Sequence, residues 1–480
     1  MTTKGLFVFR RDLRIQDNTA LHHACHECDT VVCLFILTPT QIKNNPYFSY
    51  NAFCFMLESL IELKKSIPII IEYGEPSTVI HDIIKKHKIT DIYLNKDYTP
   101  YAIERDLKIT ELIEKVNKKL HSAVLNTKTS DLIPDKTSDL IPDKTSSSVI
   151  QLHLHNDIAL NEPASIKPYK VFTPYYNVAK KTKVSNTPLS INVDKILDTK
   201  HKSVNLVALL SKYNKHTAPE RQRGGRSNVI PLIKKLKTLT KYSTTRDDLT
   251  TETSRLSPYI KFGVIGIREV YRLSPSKSFT KELFWRDFYM QISYYFPNVL
   301  IDKEKLPALN SSSKPATYDI SKNFKSTKVK WFGNSKLYNA WCTGTTGIPV
   351  VDAAMRQLLQ TGYMHNRCRM IVASVLTKLF HIDWRYGEQF FAVHLTDYDP
   401  CSNNGGWQWA SGTGADAQPY FRIFNPYAQA EKHDPTCNYI KKWCPDLAKL
   451  TPKEIFALRS DLFDYDKERV IGISLFSNKK

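Results

Sequence analysis

The sequence predicts an α/β N-terminal domain, built on a Rossmann-like parallel sheet, followed by a mostly α-helical C-terminal domain. Three observations carry this. Residues 1–125 alternate short β-branched or apolar runs with stretches of helical spacing, the pattern of strand–helix units in a parallel sheet. From there to about residue 215 the chain is polar and irregular, with many Pro, Asn and Lys residues. From residue 216 onward the apolar spacing is mostly helical. The expected division is 1–128, a connector over 129–215, and 216–480.

In the first part, Leu6–Phe9, Val31–Leu37, Pro68–Glu72 and Ile89–Leu94 read as strands, with His121–Leu125 as a further candidate. Asn51–Lys65 and Ser77–His87 between them have helical spacing. No GxGxxG follows the first strand, so the dinucleotide fingerprint is absent. The cluster His22, His23, Cys25, His26 and Cys28 lacks a second Cys/His pair at finger spacing, and it reads as a helix end with incidental thiols rather than a metal site. Residues 129–144 repeat TSDLIPDK twice; a solenoid needs longer units and at least three of them, so this reads as an expanded loop. Lys167–Tyr176 (KPYKVFTPYY) is the one aromatic anchor in the connector. In the last part, helices are expected over Ser227–Leu239, Ile265–Tyr271, Thr280–Phe296, Val351–Leu359, His365–Phe380 and Asp383–Phe391.

Charge is unevenly placed. Residues 1–200 carry 26 Lys and Arg against 23 Asp and Glu, whereas residues 201–480 carry 42 against 24. All seven tryptophans lie in the second part, and a basic surface with aromatic side chains suits nucleic acid. No run of 18 apolar residues is present, so no membrane span is expected. Nine scattered cysteines suggest reduced thiols and an intracellular protein.

Four constellations offer chemistry. Asp397–Pro426 gathers carboxylates, asparagines, two tryptophans and glycines without a sustained period, so it reads as a long structured loop walling a pocket for a large flat molecule. Glu282, Trp285, Arg286 and Tyr289 share one helical stripe, either a Glu–Arg pair beside half-buried aromatics or a face that stacks on a base. Asn366 and Met370 are four residues apart at the opening of a helix, beside Arg369. Thr253–Ser257, after Tyr242 and Arg246-Asp247, places hydroxyls and amides near a helix start, which suits either a phosphate or a cap.

Together with Phe9–Arg14 followed by Asp17-Asn18, Trp341–Arg356, Gly362–Met370, Ile382–Arg385 and Asn403–Trp409, these motifs resemble the photolyase/cryptochrome family in order and spacing. The resemblance covers nearly the whole chain and is closest to class I, microbial cyclobutane-dimer (CPD) photolyases. It implies FAD in the helical domain and UV-damaged DNA as the partner, with a monomer expected. Cofactor contacts are implied for Tyr242, Thr253, Ser254, Leu256, Ser257, Glu282, Arg286, Asn366, Arg369, Asp397, Asp399 and Asn403. Glu282 and Asn403 would also be catalytic, and Trp407, Trp384 and Trp331 match the family's electron-relaying tryptophans. Trp285, Asn366, Arg367, Met370, Trp409 and Arg422 would meet DNA, which such enzymes bind with the target base flipped out.

The (6-4) photolyases and animal-type cryptochromes resemble each other in placing His where this chain has Asn366 and Met370, so the resemblance favours CPD repair over a (6-4) enzyme or a cryptochrome photoreceptor. Tyr363 stands where many relatives have Trp, and Arg226 where an acidic residue is common. Asn95–Tyr101 looks more like deazaflavin-binding members than like the folate-contact motif, leaving a second, antenna chromophore of deazaflavin type or methenyltetrahydrofolate open.

Overall fold

A computed structural model describes residues 2–43, 45–127, 149–300, 331–417 and 422–477. The repeat at 129–144 lies outside the described residues. Five strands, β1 (Lys4–Phe9), β2 (Thr30–Leu37), β3 (Ile70–Tyr73), β4 (Asp91–Asn95) and β5 (Gln151–His155), form one parallel sheet in the order β3-β2-β1-β4-β5. The alternation of side chains along a strand sorts the core into two faces. Leu6 and Val8 of β1 join the apolar layer with Ile80, Ile83, Ile109 and Ile113, while Phe7 and Phe9 join the opposite one.

The helices that matter below are α1 (Thr19–Glu27), α2 (Tyr50–Ser66), α3 (Pro76–His87) and α4 (Pro100–Thr127) of the α/β layer, then α5 (Phe172–Ala179) and α6 (Arg226–Leu236). They continue with α7 (Lys277–Tyr295), α8 (Ser335–Thr343), α9 (Pro349–Thr361), α10 (Asn366–Lys378), α11 (Trp384–His394), α12 (Pro400–Ser411) and α13 (Pro426–His433). None of the described helices is long and apolar enough to cross a membrane.

Three expectations are corrected. His121–Leu125 is not a strand but the last turns of α4, whose apolar positions Ile109, Ile113 and Val116 already face the sheet at helical spacing. The fifth strand lies instead in the stretch read as connector, where Gln151-Leu-His-Leu-His155 alternates as an edge strand should. The largest correction concerns Asp397–Pro426: Pro400–Ser411 is a helix, not loop. Asp399 caps it by accepting from the Ser402 amide, Pro400 stands in its first turn, and Gly412 ends it at φ 83°. Those boundary signals outweigh Gly405 and Gly406 inside it.

The chain's first arginine-rich motif ties the two regions together. Arg14 and Arg268 both bond the buried Asp157 carboxylate, at 2.8 and 3.0 Å, and Arg268 and Arg272 hold Asp17. Beside them one continuous apolar cluster runs from Phe9 and Leu13 through Phe55 of α2 to Tyr259, Phe262 and Phe288. Arg226 pairs with Glu269 at 2.5 Å. His23 bonds Glu27 on α1, and Cys25 and Cys28 are buried free thiols; among the described residues no cluster is arranged to hold a metal.

Candidate active site

The candidate site is assembled where α7, α10 and α11 pack on α12, with the segment Thr253–Ser257 joined to it through Asp397 and Tyr363. At its centre, Arg369 of α10 donates to Asp397 at 2.9 Å, and the Ser257 hydroxyl donates to the same carboxylate oxygen at 2.6 Å. Arg369 is itself steadied by its Nε bond to the Met364 carbonyl at 2.9 Å. The other oxygen of Asp397, Oδ1, is buried and has no described partner. A buried acceptor left unpaired costs about 1–3 kcal/mol, so this oxygen calls for a donor from outside the chain. The imide N–H of a flavin is such a donor, and the residues present fit FAD on that ground.

Around this pair stand the other predicted cofactor residues. Thr253 shares a 2.9 Å hydrogen bond with the Tyr363 hydroxyl, whose ring lies 3.6 Å from the Arg255 guanidinium. Arg255 takes a left-handed φ of 55°, which turns the chain sharply between Ser254 and Leu256. Ser254 accepts from the Leu256 amide, Leu256 is buried, and Tyr242 sets its ring edge-on to Phe279 of α7. Asn403 on α12 donates to the carbonyl and carboxylate of Glu388 on α11, at 3.1 and 3.0 Å, so its amide is oriented from the neighbouring helix.

Two predicted cofactor residues are held by bonds to other parts of the chain. Asp399 caps α12 and pairs with Arg11 of the α/β domain. Burial would raise its pKa, but Arg11 and Arg286 outweigh that and hold the carboxyl well below the usual range. Arg286 donates to the Ile158 carbonyl at 2.5 Å. It therefore forms no pair with Glu282, which bonds Arg246 instead at 2.5 Å. Burial raises the Glu282 pKa, while Arg246 and Lys281 oppose it.

The residues expected to meet DNA lie on α7, α10, α12 and the segment before α13. Asn366 is exposed at the first turn of α10, its amide nitrogen 3.8 Å from the Met370 sulfur. Arg367 pairs with Asp247 at 2.7 Å. Trp285 and Trp409 are half-buried, on α7 and α12, and Arg422 is exposed. Trp331, Trp384 and Trp407 are buried in one apolar cluster. The Trp407 ring meets Phe391 at 5.0 Å and Trp341 at 6.0 Å.

Sequence reasoning missed Arg11, Arg246, Asp247 and Trp341 as neighbours of these residues. For Arg246 and Asp247 a signal was present, since they directly precede the Thr253–Ser257 segment. Arg11 and Asp399 are 388 residues apart, and no spacing rule links them.

The family model for DNA photolyase matches residues 6–191, and that for the FAD-binding domain of DNA photolyase matches residues 279–471. A deoxyribodipyrimidine photo-lyase of Alkalihalophilus pseudofirmus is 32% identical over 92% of this chain and 86% of its own length. One from Buchnera aphidicola subsp. Acyrthosiphon pisum is 30% identical over 99% and 97%. Among solved structures, an archaeal photolyase from Sulfolobus tokodaii, determined with two FAD molecules and implicating a novel light-harvesting cofactor, has a TM-score of 0.81 at 32% identity, covering 99% of this chain and 100% of that one. A cryptochrome from Synechocystis, at 22% identity and a TM-score of 0.75 over 99% of each chain, shares the fold.

Proposed function

The chain belongs to the DNA photolyase family, and on that premise we propose that it repairs cyclobutane pyrimidine dimers in DNA under light. The observation that carries the CPD assignment is Asn366 beside Met370 at the exposed turn of α10, where a (6-4) enzyme would need imidazoles for proton transfer. The nearby His365 supports the same reading. It is buried, caps α10 by accepting from the Arg367 amide, and burial pushes its pKa down to about 4, so it stays neutral near pH 7.

Held in this site, reduced FAD would supply light-driven electron transfer to the pyrimidine dimer. This chain's residues bind and orient. Asp397, fixed by Arg369 and Ser257, offers its unpaired oxygen to the flavin ring, and Asn403, aimed by Glu388, presents an amide to it. Tyr242, Thr253, Ser254, Leu256 and Ser257 hold the phosphates and ribityl chain. Glu282 and Arg286 stand toward the adenine–lesion gap, and Asp399 holds the start of α12 in place beside it. Trp285 and Trp409 stack on the flipped pyrimidines, while Glu282, Asn366 and Met370 contact their edges. Arg367 and Arg422 meet flanking phosphates. Trp407, Trp384 and Trp331 give electrons a buried path to the site.

We read the protein as a monomer acting on DNA inside the cell. For a light-harvesting chromophore of deazaflavin or folate type, the stretch Asn95–Tyr101 offers chiefly Tyr101, which is exposed. Asn95 is spent on Asp12 and Asn18, Asp97 on Arg11 and the Tyr98 amide, and Tyr98 on Asn156. The test is reconstitution with FAD. The protein should take on visible flavin absorption and remove CPDs from an oligonucleotide only when illuminated. A chain that retains no flavin, or removes CPDs equally in darkness, overturns the proposal.

A further inference from the structure

The segment between the two domains is bonded along the length of α7. Arg286 donates to the Ile158 carbonyl, and the Asn161 amide donates to the buried Asp287 carboxylate at 2.9 Å. The Tyr295 hydroxyl donates to the Ile166 carbonyl at 2.9 Å. The buried Gln291 amide holds both backbone groups of Tyr169, donating at 3.1 Å and accepting at 3.2 Å. This strap then places Phe172, only 2% exposed, flat against Trp285: the ring centroids are 3.6 Å apart and the planes differ by 5°. Phe288 meets the same indole edge-on at 5.7 Å.

The strap has a second attachment. The Asp416 amide donates to the Lys170 carbonyl at 2.9 Å, and burial raises the pKa of the Asp416 carboxylate while the Phe172 amide acts on it to lower that pKa. Asp416 follows α12, in a left-handed turn at φ 49°, seven residues beyond Trp409. The same two helices touch directly, because Gly405 of α12 sits where a Cβ would be 2.1 Å from the Tyr289 ring of α7.

We propose that Phe172 is a positioning residue for the DNA lesion: it covers one face of Trp285 and fixes the plane that the indole presents to flipped pyrimidines. Asp416 ties that wall, through the Lys170 carbonyl and the Phe172 amide, to the segment leaving α12, which carries Trp409. The proposal rests on the reading above that Trp285 stacks on the lesion. Its physical basis is preorganisation. A half-buried indole can turn about two side-chain torsions, and a base that stacks on a freely turning ring must immobilise it on binding. A flat aromatic backing immobilises it beforehand. Phe172 touches no DNA in this scheme, so its contribution belongs to selectivity for the flipped lesion and not to phosphate binding.

The test uses the full chain loaded with FAD, in darkness, with duplexes that differ only by one CPD. Phe172→Leu keeps an apolar side chain but removes the flat face, and Phe172→Tyr keeps the ring. Phe172→Leu should weaken CPD binding by about 3- to 10-fold, the range set by an aromatic pair, and leave undamaged-duplex binding unchanged. Phe172→Tyr should restore the preference. Equal loss on both duplexes, or no loss on either, overturns the proposal. Trp285→Ala separates the two readings: if it leaves CPD preference intact, the lesion-stacking assignment itself fails, whereas an effect of Trp285→Ala with none from Phe172→Leu removes only the strap. Should Phe172→Leu fail to retain FAD, Asp416→Ala decides, because it leaves both rings in place; it should lower CPD preference, and an unchanged preference overturns the proposal.

Discussion

Arg11 donates to Asp399, to Asp97 and to the Lys261 carbonyl, so one guanidinium joins the α/β domain to the start of α12. Removing one member of a largely buried pair costs about 3–5 kcal/mol, because the partner charge is left without compensation. Arg11→Met should lower stability toward urea by roughly that amount at neutral pH. The sign of the pH effect follows from Asp399. Its folded pKa lies below the ordinary 3.8, so its contribution is full above that value and is lost as pH falls. The gap between wild type and Arg11→Met should therefore narrow in acid; a constant gap would contradict the pairing. Arg367 is tested separately through salt. If it meets a phosphate in the complex, Arg367→Gln should reduce the slope of log affinity against log salt by about 1 for damaged and undamaged duplexes alike. At this scale, contacts within one helix turn were legible: Asn366 and Met370 are neighbours as their spacing required. The partner of Asp399 was not, because Arg11 arrives from the α/β domain through tertiary packing, and that of Glu282 was signalled only by the place of Arg246 before the Thr253–Ser257 segment.

At the scale of elements, α6, α7, α9, α10 and α11 were readable from apolar period, whereas α8, α13 and above all α12 were not. Its inward positions include Asn404 and Gln408, and two glycines interrupt it, so no apolar stripe announces it. Its capping residues did announce it, and a reading that weighted Asp399-Pro400 and Gly412 above periodicity would have found it. Gly405 and Gly387 have packing reasons at this junction, whereas a Cβ at Gly406 would meet nothing within 4 Å. Gly405 admits the Tyr289 ring, and Gly387 of α11 lies where a Cβ would be 2.1 Å from the Trp407 ring. Gly387→Ala should cost about 1–3 kcal/mol by overpacking and displace that indole. Trp407→Phe keeps most of the volume, and is the better probe of electron transfer. It should slow photoreduction of oxidised FAD while sparing repair by chemically prereduced protein. Loss of both activities would remove Trp407 from the relay.

Across the whole molecule, the sequence made visible a parallel-sheet domain, a helical domain and a positive charge concentrated in the latter. It did not reveal that the intervening stretch supplies both an edge strand and the strap along α7. Polar connectors carry little periodicity, and β5 is only five residues long. The strap's aromatic anchor, Lys167–Tyr176, was visible in composition, but its partner Trp285 lies more than 100 residues away. On the proposed function, the helical domain is a light-dependent lesion site specific for CPDs. The most direct measurement is repair by the FAD-loaded, prereduced protein on two duplexes, one with a CPD and one with a (6-4) photoproduct, each in light and in darkness. The expected result is restoration of the CPD duplex in light alone and no change in the (6-4) duplex. Repair of the (6-4) duplex, or an unrepaired CPD duplex under illumination, would contradict it.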